Sequence, residues 1–155
     1  MSKLDLSSIP ERKGSNYPAP FGREVGERVR QRLGDAGGLT QFGVNLLQLA
    51  PGAWSSQRHW HSLEDEFMFV VSGEVVLVTD EGESVLRAGD CAAFPANRPN
   101  GHHLINKSQS MAVCLEVGSR NASDSVVYPD IDLLFDPQKD CYTHKDGTPY
   151  PPSSD

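Results

Sequence analysis

The sequence predicts an all-β chain, a sandwich or barrel of mostly antiparallel strands. Turn signals recur from Pro51 onward at intervals of roughly 8 to 12 residues: Pro51-Gly52, Ser72-Gly73, Asp80-Glu81-Gly82, Ala88-Gly89-Asp90, Pro95 to Pro99 and Asn106 to Ser110. Between them lie short runs rich in Val, Phe, Leu and Ile, namely EFMFVV, EVVLVT, SVLRA, CAAF, HHLIN and MAVCLEV. This is the pattern of short strands joined by tight turns. No repeat of 20 to 50 residues is present, which removes solenoids and propellers.

The elements divide the chain into an arm, a barrel core and a tail. Residues 1–37 form the arm, and its first 22 residues are rich in Pro, Ser and charge, as suits an irregular segment lying on another surface. In REVGERVRQRLGDAGG the apolar positions are too sparse for a stable amphipathic helix, leaving room for one short turn before Gly37. The core spans residues 38–118. It begins with TQFGVNLLQLAPG, an apolar segment that reads equally as strand or helix. Residues 119–155 form a tail full of Asp, Pro and Tyr, expected to drape over the barrel with Tyr128, Leu133, Leu134 and Phe135 as anchors. Its last five residues are expected to be mobile.

Composition limits the partners. At 155 residues the chain suits one domain. Fourteen basic against 21 acidic residues give a net charge of −7 without any dense run of Lys or Arg, which argues against nucleic acid and makes polyanionic substrates less natural. No apolar run is long enough for a signal peptide or a membrane span, so a cytoplasmic location is expected. The three cysteines are widely spaced and make no Cys-x-x-Cys pair. Cys91 and Cys114 read as small buried hydrophobes, and Cys141 stays open.

The stretch RHWHSLEDEF, residues 58–67, carries the chemistry. If residues 57–61 are extended, His59 and His61 share a face about 6 to 7 Å apart at Cα and can converge on one cation. On a helix they would diverge. Among the acids that follow, Glu66 alternates with Met68 and Val70, so its carboxylate shares a face with apolar side chains. That position is costly without a cation, which favours Glu66 as ligand over the turn residues Glu64 and Asp65. Arg58 and Trp60 alternate with the histidines and face away. A second pair, His102 and His103 in GHHLIN, lies on opposite faces of a strand, so only one can join the site. Four of the five histidines fall in these two clusters, and His144 lies apart in the polar tail. Asn45, Gln48 and Met68 read equally as cavity wall or core.

The residues carry a resemblance. GAWSSQRHWHSLEDEFMFVVSG resembles the first motif of the cupin superfamily, G(X)5HXH(X)3,4E(X)6G, with one extra residue between Gly52 and His59. GDCAAFPANRPNGHHLINKS resembles the second, G(X)5PXG(X)2H(X)3N, with Asn97 in place of glycine and two extra residues before His102. The phrases RHWH, GHHLIN and YPDID with HKDGTPY resemble those of a group of small bacterial cupins. The resemblance implies a double-stranded β-helix (jelly-roll) barrel, usually a homodimer, with a metal site of His59, His61, Glu66 and His102, the last preferred to His103.

Such a set suits one divalent transition metal, Fe, Mn, Ni or Zn, and leaves positions for a small-molecule ligand. The leading expectation is a metal-dependent enzyme, an isomerase or dioxygenase acting on a small and possibly sugar-derived molecule. A non-catalytic sensor is the alternative, and a barrel with incidental histidines comes last. No catalytic residue beyond the metal ligands is assigned.

Overall fold

The computed structural model describes residues 3–151 and is an almost entirely antiparallel β structure of jelly-roll type. The last four residues, part of the five expected to be mobile, lie outside the described residues. The strands in chain order are β1 (Glu11–Lys13), β2 (Arg28–Arg32), β3 (Phe42–Leu49), β4 (Trp60–His61), β5 (Glu66–Ser72), β6 (Glu74–Thr79) and β7 (Gly82–Arg87). They continue with β8 (Cys91–Phe94), β9 (His103–Ile105), β10 (Ala112–Ser119), β11 (Val126–Tyr128), β12 (Leu133–Asp136) and β13 (Cys141–Thr143). One sheet runs β1-β2-β3-β10-β5-β8, a second runs β7-β6-β9, and a third, β13-β12-β11-β4, is built largely from the tail.

Alternation along the strands explains how the sheets close on a core. Leu47 and Leu49 on β3, Met68 and Val70 on β5, Val75 on β6, Leu104 on β9 and Cys114 on β10 all point inward and are buried. Each fully buried Leu or Val contributes about 1.5–3 kcal/mol. The ambiguous TQFGVNLLQLAPG segment is strand β3, because its alternation suits pairing with β10 along eight residue pairs, from Ala112↔Leu49 to Ser119↔Phe42. Between β5 and β6 the chain reverses on Gly73 alone. Its φ is +79°, and a Cβ there would lie 2.8 Å from Met111 O, so only glycine fits.

The arm departs from its composition. Residues 14–27 are irregular, and the single turn before Gly37 is a four-residue helix, Leu33–Ala36. Residues 11–13 and 28–32, however, are strands, and β2 pairs with β3 from Arg28↔Leu49 to Arg32↔Asn45. The arm thus covers the β3 edge of its own chain. In the tail, Tyr128 and Leu133 are buried anchors, while Leu134 and Phe135 are only partly covered.

Cys91 corrects the cysteine reading. Cys114 is buried, and burial pushes its thiol up to about 12. Cys91 is exposed, because β8 is the last strand of its sheet and turns that residue outward. No described helix is long and apolar enough to cross a membrane.

Candidate metal centre

The two histidine clusters meet across the barrel. His59 and His102 form an isolated antiparallel bridge, with His59 N donating to His102 O at 3.1 Å and His102 N donating to His59 O at 2.8 Å. Regular strand covers only Trp60 and His61 of the expected 57–61 stretch. The extended run around this bridge still aims both imidazoles inward. The ring centroids of His59 and His61 lie 5.1 Å apart, and those of His59 and His102 lie 4.9 Å apart. Glu66 enters at the start of β5, on the face of Met68 and Val70.

The Nε2 atoms of His102, His61 and His59 lie 2.9, 3.3 and 3.5 Å from one carboxylate oxygen, Glu66 Oε2. Ligands bonded to one ion at about 2.1 Å stand about 3.0 Å apart in octahedral and about 3.4 Å apart in tetrahedral geometry. The observed separations span those values. His59, His61 and Glu66 also place ligand atoms within 4.8 Å of one another.

The hydrogen bonds behind the rings sharpen the fit. His59 Nδ1 faces the carbonyl oxygen of Gln57 at 2.8 Å, and His61 Nδ1 faces Asp124 Oδ2 at 2.6 Å. Both partners only accept, so each Nδ1 carries a proton, and whenever either ring is neutral its Nε2 lone pair points toward Glu66. Lone pairs facing a carboxylate repel. Protonation of the rings or a cation between them removes that repulsion, and partners of this kind orient metal-bound histidines.

Charge responds in the same sense. Burial raises the Glu66 pKa, but hydrogen bonds from His102 and His59 and the nearby imidazoles outweigh it and hold the group well below the usual carboxylate range. At His59 burial lowers the pKa, and Glu66 more than compensates. At His102 burial prevails and the pKa is lowered. His102 lacks a hydrogen-bonded lock, since its Nδ1 is buried without a partner. Stacking on Phe94 fixes that ring instead, with centroids 3.6 Å apart and planes 2° apart.

His103 turns away. Its Nδ1 meets Ser56 O at 3.1 Å and its ring stands edge-on to Trp54 at 4.6 Å, a buried packing role. Arg58 also stays outside the cluster, joining Asp130 at 2.6 Å and Asp80 across the loops. His144 pairs with Asp132 at 2.7 Å and stacks on Tyr150, tying YPDID to HKDGTPY. Asn45 and Met68 line the cavity, whereas Gln48 occupies the other face of β3.

Three features escape the sequence reading. Asp124 is buried in the tail and accepts from His61 Nδ1, Leu63 N (2.7 Å) and Glu64 N (3.2 Å). His61, Glu64 and Asp124 are close enough to suggest a second metal group, but the Asp124 carboxylate is already engaged by these donors. Tyr17, Tyr128 and Tyr142 gather beside His59, with the Tyr128 ring 5.8 Å from it. Arg28 and Arg30 also line the cavity, which runs against the inference from net charge. The cavity measures about 250 Å³. That is smaller than the roughly 300–1,000 Å³ of sites for drug-sized ligands, so it suits a small compact molecule.

Comparison with known proteins agrees with this architecture. A family profile described as the cupin domain matches residues 45–118. A crystal structure of a sugar phosphate isomerase from the cupin superfamily of Silicibacter pomeroyi is 49% identical, covers 96% of both chains and superposes with a TM-score of 0.90. The chain belongs to the cupin superfamily. A proposed sugar phosphate isomerase from Acidithiobacillus ferrooxidans is 32% identical over 75% of this chain and 74% of its own, with a TM-score of 0.70. The polyketide cyclase RemF from Streptomyces resistomycificus shares the fold at 18% identity, covering 77% of this cupin and 79% of its own chain with a TM-score of 0.60. No curated protein matches the sequence.

Asn97 takes a glycine-like conformation without being glycine. It stands where the second motif has glycine, and its φ is +56°. Asn tolerates this left-handed region better than other residues with a side chain.

Proposed function

We propose that this cupin is a metal-dependent isomerase of a small sugar phosphate, with His59, His61, Glu66 and His102 holding one divalent iron, manganese, nickel or zinc ion. The observation that carries the reading is the convergence of three Nε2 atoms on one Glu66 oxygen, with two lone pairs directed there by Gln57 O and Asp124. The reaction class draws on the similarity to the Silicibacter isomerase across nearly the whole chain. An ion bound here supplies a Lewis acid for a carbonyl or enediolate oxygen.

The chain's own residues prepare the site. Gln57 O and Asp124 fix the ring tautomers, Phe94 holds His102, and Met68 and Phe94 make part of the wall apolar. The small cavity limits the substrate to one compact unit. The proposal extends to a homodimer. Phe67, Phe69 and Val71 point outward from β5 and are 39%, 36% and 49% exposed, a face suited to a second copy.

The test is elemental analysis of protein purified without a histidine tag, aerobically and anaerobically, followed by assays of aldose–ketose interconversion across sugar phosphates. One equivalent of metal with turnover is expected. Metal without turnover on any substrate would return weight to a sensor. A dioxygenase remains the second reading, favoured by a ligand set that also suits Fe(II). Iron retained only anaerobically, together with oxygen uptake, would establish it.

A further inference from the structure

The cavity has a second polar centre. On β2, Arg28 and Arg30 pair with Leu49 and Leu47, so both arginines occupy the core-facing side of the sheet. Arg28 is only 7% exposed. Its Nε and Nη2 donate to Gly14 O at 3.2 and 2.9 Å, and its Nη1 donates to Ser55 O. All of these acceptors are backbone carbonyls, and among the described residues no carboxylate bonds to the guanidinium. A charge buried this far is costly unless something anionic meets it. Arg30 is different, since Glu116 takes its Nη2 at 2.9 Å and stands 2.8 Å from its Nε. Of the two guanidinium groups only that of Arg30 bonds Glu116, and Nη1 of Arg30 has no bonded partner among the described residues.

The tyrosines complete this centre. The Tyr17 ring lies 5.7 Å from Tyr128 and 5.5 Å from Tyr142, with Tyr128 and Tyr142 6.4 Å apart. All three rings line the cavity, and a tyrosine hydroxyl is protonated near neutral pH and able to donate. The Tyr128 ring lies 5.8 Å from that of His59, tilted by 34°, which places the cluster beside the metal centre in one cavity.

We propose that Arg28 and Arg30, with the hydroxyls of Tyr17, Tyr128 and Tyr142, form an oxyanion subsite that receives the phosphate of the substrate while its carbonyl end faces the metal centre. The assignment rests on the isomerase reading for the metal end but not for the anion end. Two guanidinium groups and several hydroxyl donors match the several oxygens of a phosphate better than the two of a carboxylate. The shared chemistry is an oxyanion, and the two sources are separable.

The test is titration of the full chain with inorganic phosphate and with acetate, by calorimetry, in metal-free and metal-loaded forms. The metal-free protein is expected to bind phosphate at least about tenfold tighter than acetate. Arg28→Lys keeps the charge but loses the fork, and should weaken phosphate by about 10- to 100-fold, the range for a hydrogen bond to a charged group. Because Arg28 also clasps Gly14 and Ser55, a second pair of variants guards against misfolding. Tyr142→Phe should weaken phosphate several-fold, and the charge-balanced R30Q/E116Q pair about tenfold. Acetate binding as tightly as phosphate would overturn the phosphate assignment. Phosphate that binds only the metal-loaded form, unchanged in these variants, would place the anion on the metal and overturn the subsite. Metal-free phosphate binding in a protein that takes up no metal would sustain the subsite and sink the isomerase.

Discussion

The two histidine pairs of this cupin are built from the same side chain and used in opposite ways. His59 and His61 are two residues apart on an extended run, so both rings face the cavity and both reach Glu66, at 3.5 and 3.3 Å. His102 and His103 are adjacent, so one reaches Glu66 at 2.9 Å and the other packs on Trp54. Spacing, not residue type, decides the role. A period of two turns a pair into two potential ligands, while a period of one divides it between the site and the core.

The strongest way to break that comparison is to remove the atom on which three rings converge. Glu66→Ala should lower the metal content of purified protein from about one equivalent to a trace. Metal sites of four ligands release about 10–16 kcal/mol on binding zinc, so losing one ligand is expected to weaken affinity about a hundredfold or more. Unchanged metal by elemental analysis would remove Glu66 from the ligand set.

The second pair offers a sharper contrast. His102→Ala should lose metal in the same way while the barrel stays folded. His103→Ala should keep the metal and instead cost about 2–4 kcal/mol of stability, since it empties a buried site. Metal analysis and denaturant melts on the two proteins read both effects. If His103→Ala lost the metal and His102→Ala kept it, the assignment would be reversed.

Asp124 tests the support behind the first pair. Replacing its carboxylate in Asp124→Asn leaves a weaker acceptor for His61 Nδ1, which should reduce metal affinity about 10- to 100-fold without abolishing the site. Competition with a chelator would measure this. An affinity within about twofold of the unaltered protein would show that the 2.6 Å contact does not orient the ring for metal.

These residues also show what the sequence could and could not disclose. His59, His61 and Glu66 are legible because strand alternation places them on one face, whereas alternation alone divides His102 from His103 and only the resemblance to the second cupin motif picks His102. Asp124 is not legible, because it meets His61 from 63 positions away. Strand β2 is hidden for a related reason. Its inward positions are Arg28 and Arg30, so RVRQR lacks the apolar alternation by which a half-buried strand is read. A sequence that breaks its own pattern at a functional wall hides the strand that carries it. The net charge of −7 misled in the same way, since it averages over a surface and says nothing of one buried and one partly buried cation in the cavity wall.

The smallest expected effect lies at Asn97, where the second histidine loop begins. Its φ of +56° costs most L-residues about 1–2 kcal/mol, while glycine adopts it freely and Asn is partly excused by local hydrogen bonding of its side chain. Its backbone N–H also donates to His61 O at 2.8 Å, so this turn joins the two histidine clusters. Asn97→Gly should leave stability within about 0.5 kcal/mol, and Asn97→Ala should lower it by about 1 kcal/mol, both with metal content unchanged. Equal melts for the two variants would mean that the backbone has moved out of the left-handed region. Loss of metal in Asn97→Ala would mean that the turn also positions His61, which joins the two histidine pairs more tightly than their contacts with Glu66 alone.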